Sequence, residues 1–157
     1  MRTAILDTSA LIALHALDAL SKINLLFQEV YVPRKVEAEF LTTHSREIPE
    51  ESSQRFTFIE EHYAICATWL IRCQEYSQDT IDRHLLIRHI GLGEAEVFAQ
   101  HEELAQAQPQ ERWLILDDRK ARLYAKTQLN ADVRGVVRLI AELVLRGGLT
   151  DYNASVD

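Results

Sequence analysis

Apolar residues along this chain follow two spacings, and the alternation between them predicts its elements. Residues 3–6, TAIL, form the short continuous apolar run of a buried strand, and the run ends at Asp7. Behind it, SALIALHALDALSKINLLFQ carries apolar positions at three- and four-residue intervals, which predicts helix. EVYVP is a second strand, β-branched and aromatic, and Pro33 suits the first turn of the helix PRKVEAEFL. Phe56, Ile59, Tyr63, Cys66, Leu70 and Cys73 keep helical spacing and predict a helix to about residue 76. SQDT then offers an N-cap for IDRHLLIRHI, and the turn GLG precedes EAEVFAQHEELAQAQ. RWLILDD repeats the strand that closes in acid, and RKARLYAKTQL resumes helical spacing. The segment ADVRGVVRLIAELVLRGGLTD supplies a short strand, a helix from about Gly135 and a stop at Gly147-Gly148.

This order, strand and helix alternating around a helical insert, predicts an α/β fold. The expected architecture is a three-layer α/β/α sandwich, Rossmann-like, with a central, mostly parallel sheet of about four to five strands. The expectation is a single domain over residues 1–157 with the insert at about 50–90. In such sheets sites lie beyond the carboxyl ends of the strands. Asp7 and Asp117, directly after AIL and LIL, both fall there.

Composition narrows the class. Hydrophobic residues at 47% and charged residues at 26% are those of an ordinary globular chain able to bury a core without disulfides. No stretch approaches eighteen uninterrupted apolar residues and no basic leader precedes one, so a cytoplasmic protein with no membrane partner is expected. Cys66 and Cys73, seven apart on one helical face, would sit about 10 Å apart along the axis, too far for a disulfide. They read as packing residues. The net charge of −7 lacks the broad basic footprint of a plain nucleic-acid-binding module. It is compatible with a metal-dependent nuclease, which must gather carboxylates for its cations.

Acids stand at four places where a sheet-edge cluster can form: Asp7, Glu37 with Glu39, Glu94 with Glu96, and Asp117 with Asp118. Glu94 and Glu96 are also ordinary partners of a helix N-terminus, and Glu37 reads as part of a solvated face. Asp7 and Asp117 are harder to explain blandly, because an acid closing a buried strand must meet a cation, donors or water. Convergent carboxylates without a matching histidine or cysteine set suit Mg2+ or Mn2+ rather than zinc. Two such ions can activate a water and stabilise the leaving oxygen of a phosphodiester displacement. The six histidines are scattered without metal-ligand spacing and are assigned no catalytic role.

The segments AILDTSALIAL, VYVPRKVEAEF, LGEAEVFAQ and WLILDDRKARLYA resemble the PIN-domain superfamily of metal-dependent ribonucleases, in particular its small prokaryotic toxin-like branch. VRGVVRLIAELVLRGGL is similar to that branch's C-terminal strand and helix; about residues 42–90 offer little to compare. The resemblance implies that Asp7, Glu39, Glu94 and Asp117 are catalytic and hold the metal, with Asp118 the near equal of Asp117. It implies for Ser9 the hydroxyl beside the first aspartate, a position that an N-cap would explain equally; Thr8 falls in that same cap region. Arg134 stands where the family pattern has a small hydroxyl residue. Arg119, Arg122 and Arg134 are candidate phosphate contacts, although helix charges facing solvent explain any one of them as well.

The leading expectation is therefore a Mg/Mn-dependent endoribonuclease acting on RNA. By resemblance it is the toxin of a toxin-antitoxin pair, restrained by an antitoxin protein and forming a homodimer. The alternative is a PIN-like RNA-binding or protein-interaction module that cuts nothing. A phosphotransferase with Asp7 as nucleophile ranks third, because a second acid is then expected where Ser9 stands.

Overall fold

The computed structural model describes residues 2–46, 70–71, 76–87, 89–107 and 110–147. Its centre is β1 (Arg2–Leu6), paired in parallel with β2 (Glu29–Tyr31) on one side and β4 (Glu111–Ile115) on the other. β3 (Leu70–Ile71) extends the sheet beyond β2, and β5 (Asp132–Arg134) extends it beyond β4. The result is a five-stranded, wholly parallel sheet of order β3-β2-β1-β4-β5. Consecutive residues of β1 and β4 point to opposite faces, yet Ala4, Ile5, Leu6, Leu114 and Ile115 are all inaccessible to solvent. Helices must therefore cover both faces, which is why these strands read as unbroken apolar runs.

The helices follow the predicted order. α1 (Thr8–Ala16) starts at an N-cap supplied by Asp7, and α2 (Arg34–Arg46) follows Pro33, whose carbonyl accepts the first helical bond from the Glu37 N–H at 3.0 Å. α3 (Gln78–Leu85) is capped by Ser77, as SQDT predicts. α4 (Leu92–Ala107), α5 (Arg119–Gln128) and α6 (Val136–Leu145) are the other α-helices among the described residues. Phe27, Phe40 and Phe98 are the largest side chains fully buried among these elements.

Two expectations differ from the structure. The apolar spacing after Asp7 does not make one helix: α1 ends at Ala16, Asp18 turns left-handed at φ 51°, and Leu20–Leu25 form a short 3-10 helix. Ala10, Leu11 and Leu14 of the first piece and Leu20 and Ile23 of the second are buried, so the spacing persists through the break, although Leu25 is exposed. The helix predicted to about residue 76 is overturned at Leu70 and Ile71, which form the edge strand β3. A two-residue strand supplies too short a pattern to stand out from the helical spacing around it. The rest of that predicted helix, with Cys66 and Cys73, and Gly148 of the predicted stop lie outside the described residues.

Helices α3, α4 and α5 meet on His84, which is buried. Its Nδ1 lies 2.8 Å from the Tyr124 hydroxyl and its Nε2 lies 3.2 Å from Glu102, while Phe98 packs edge-on against the ring. Burial holds its pKa below the ordinary value, so this histidine is a neutral packing element. Among the described residues no helix is long and apolar enough to cross a membrane.

Candidate active site

Parallel pairing fixes where the two strand-closing acids meet. Leu6 lies opposite Ile115, so Asp7 and Asp117 leave the same edge of the sheet on neighbouring strands. The Asp7 N–H continues the ladder to the Ile115 carbonyl at 3.2 Å. Its carboxylate is divided between two backbone donors: Oδ1 accepts from the Ala10 N–H at 2.8 Å and Oδ2 from the Asp117 N–H at 3.1 Å. Asp7 is only 8% exposed. Burial pushes its pKa up to about 6 despite the two donors, and the negative charges of Asp117 and Glu94 add to the rise. The carboxylate thus sits in a field that favours a positive charge beside it.

Glu39, on α2, and Glu94, on α4, face the same space. The Thr8 hydroxyl donates to Glu39 Oε2 at 2.8 Å, from α1 to α2. The bare α-carbon of Gly93 lies against that oxygen, where a Cβ would stand 3.1 Å away. Glu94 Oε2 accepts from the Gly91 N–H at 2.8 Å, so this acid helps to close the start of α4. Asp7, Thr8, Ser9, Val36, Glu39, Gly93 and Glu94 line one cavity of about 220 Å3.

Asp117 and Asp118 accept from the N-termini of two different helices. Asp118 Oδ1 accepts from the Ala121 N–H at 2.8 Å and caps α5. Asp117 Oδ1 accepts from the Val136 N–H at 3.0 Å, supplying α6 with the side-chain acceptor that its own N-cap residue, Gly135, cannot offer. A Cβ at Gly135 would lie 3.0 Å from the Arg122 guanidinium and 3.7 Å from Asp117 Oδ1, so Arg122 reaches the neighbourhood of this acid.

A family described as DUF3368, PIN domain, matches residues 3–157. The chain belongs to the PIN-domain family. Its fold is similar to that in "Crystal structure of PAE2754 from Pyrobaculum aerophilum", with a TM-score of 0.60 and 18% identity over 92% of this chain and 99% of that one. No curated protein matches it.

Within this PIN domain, not every residue singled out by sequence reaches the cavity. Asp7, Ser9, Glu39 and Glu94 line it, with Asp117 adjoining through its contact to Asp7. Asp118 does not line it and caps α5 through Oδ1, and Arg119 lies exposed at the first turn of α5. Arg134 is turned away: it pairs with Asp132 at 2.9 Å and lies over the Trp113 ring at 5.0 Å, back along the strands from the acidic edge. Glu96 is buried elsewhere, accepting from the Lys35 N–H at 2.6 Å and anchoring the start of α2. Tyr76 bonds to it as well, and burial, with Glu96 beside it, raises the tyrosine's pKa. The contact of Thr8 with Glu39 has no sequence signal, since the two are 31 positions apart and neither lies in a local pattern that names the other.

Among the described residues no three of His, Cys, Asp or Glu gather closely enough to hold one ion directly. The acidic donors of this PIN domain are nevertheless all oxygen, and their cavity has room for several waters at about 30 Å3 each. Mg2+ usually keeps several waters and takes one or two carboxylates. A hydrated hard cation fits that arrangement, and the raised pKa of Asp7 gives it an electrostatic reason to bind.

Proposed function

We propose that this PIN domain is a Mg2+- or Mn2+-dependent endoribonuclease whose metal is held by Asp7, Glu39, Glu94 and Asp117. One observation carries the reading: a buried carboxylate at the sheet's carboxyl edge, charged against its own burial, opens on a cavity shared with two further acids. When bound, the metal would supply an activated water and neutralise charge developing on the phosphodiester. The chain's own part is to fix the acids. Backbone N–H groups orient Asp7 and Asp117, and the Thr8 hydroxyl and the Gly91 N–H orient Glu39 and Glu94. Arg122, beside Asp117, is the base best placed to meet an RNA phosphate, with Arg119 nearer the exposed rim. The same reading takes the protein as a cytoplasmic, homodimeric toxin of the toxin-antitoxin kind, with an antitoxin protein covering the acidic cavity. Ser9 is the supporting hydroxyl at its wall.

The second reading, a PIN-like module that binds RNA or protein without cutting, is favoured by the lack of a three-residue metal cluster among the described residues. The experiment that separates them is cleavage of structured and single-stranded RNA with Mg2+ or Mn2+, wild type beside Asp7→Asn and Asp117→Asn. Cleavage by the wild type alone supports the nuclease. Equal inertness, together with no divalent ion bound in calorimetry, would move the assignment to the binding module.

A further inference from the structure

We infer that Thr8 is a positioning residue, fixing the carboxylate of Glu39 for the metal; the inference rests on the nuclease reading above. Its first support is a division of labour at the start of α1. Asp7 takes the N-cap, which leaves Thr8 as the first helical residue with its hydroxyl released from capping. Inside a helix a threonine hydroxyl commonly bonds the carbonyl three or four residues back. Here residue 4 lies in β1, and the hydroxyl instead crosses to α2, donating to Glu39 Oε2 at 2.8 Å.

The second support comes from the other side of the same oxygen. Gly93, in the first turn of α4, offers no side chain, and a Cβ there would press on Glu39 Oε2 at 3.1 Å. Three helices thus meet at one carboxylate oxygen: α1 with a donor, α2 with the acid, α4 with a gap that admits it. A glutamate has three side-chain torsions to restrict, and a neutral donor on one oxygen restrains the carboxylate plane without itself adding an opposing charge. That is what a hydroxyl, unlike an arginine or lysine, contributes beside a group meant to attract a cation. Partners of this kind, outside the ligand set, are typically worth roughly 10–100-fold in metal affinity or activity.

The test titrates the full chain with Mn2+ by calorimetry, comparing wild type, Thr8→Val, Thr8→Ser and Glu39→Gln, and follows the Mn2+ concentration that half-saturates RNA cleavage. Thr8→Val keeps the shape and removes the donor; it should weaken Mn2+ binding by roughly 10–100-fold, and excess Mn2+ should restore most of the cleavage rate. Thr8→Ser, which keeps the donor, should bind close to wild type. In the Glu39→Gln background Thr8→Val should add little, because the residue it acts through is already altered. If Thr8→Val unfolds, Thr8→Ala against Thr8→Ser makes the same comparison. Wild-type affinity in folded Thr8→Val, or an undiminished loss in the Glu39→Gln background, overturns the inference while leaving the nuclease reading intact. A wild-type protein that binds no Mn2+ overturns both.

Discussion

The backbone N–H of Asp117 donates to the Asp7 carboxylate at 3.1 Å, so the acid closing one strand is held by the residue closing the next. The bond spans 110 positions of sequence and gives the two acids a fixed relation that neither strand could provide alone.

Asp7 makes the stability of the metal-free protein depend on pH. Its pKa is raised in the fold, from 3.8 to about 6, chiefly by burial. A raised pKa means that the folded state holds the proton more tightly than the unfolded chain. The stabilisation is therefore complete below about pH 4 and lost as pH rises through about 6, by roughly 2–3 kcal/mol. Urea denaturation in a chelator across pH 4–8 should resolve this slope, and Asp7→Asn should lack it. Equal slopes in the two proteins would mean that Asp7 ionises freely.

Asp117 and Asp118 should part company on mutation. Asp118→Ala removes a helix cap and should cost about 1 kcal/mol of stability, with RNA cleavage retained when assayed well below the melting temperature. Asp117→Asn should abolish cleavage with a smaller change in melting temperature, since the asparagine oxygen can still accept from Val136. The reverse pattern would make Asp118 the reactive acid.

Gly93→Ala should separate activity from stability. Alanine is the better helix former by about 1 kcal/mol, but its Cβ would crowd Glu39 Oε2. Lower cleavage with an unchanged or higher melting temperature is expected. A fully active Gly93→Ala would show that Glu39 tolerates displacement.

The two arginines should differ in the same way. Arg122→Gln is expected to raise the KM for RNA and to flatten its dependence on salt, as loss of one phosphate contact does. Arg134→Gln should leave KM unchanged and lower stability, because its guanidinium is engaged by Asp132 and Trp113. Filter-binding and cleavage measured at several salt concentrations read both effects.

What the sequence could reveal depended on how locally each feature is encoded. β1 and β4 are legible because a strand buried on both faces must be continuously apolar, and an acid at its end is conspicuous. The role of Asp118 was also within reach: an aspartate immediately before RKARLYA has the standing of an N-cap. β3 was not legible, since Leu70 also fits the helical spacing set by Cys66 and Cys73 and a two-residue strand leaves no pattern of its own. Glu94 and Glu96 share one helix start, and only packing against α2 turns Glu96 into an anchor for the Lys35 N–H. The partnership of Thr8 with Glu39 is tertiary altogether.

The strand order also carries a consequence for synthesis. β1 can pair with β2 soon after both leave the ribosome, but its other neighbour, β4, begins only at Glu111. At ordinary elongation speeds that is a delay of roughly 5–20 seconds. Until then Asp7 has neither its second amide donor nor Asp117 beside it. On the nuclease reading proposed above, the chain would thus emerge from the ribosome with its acidic edge still unassembled.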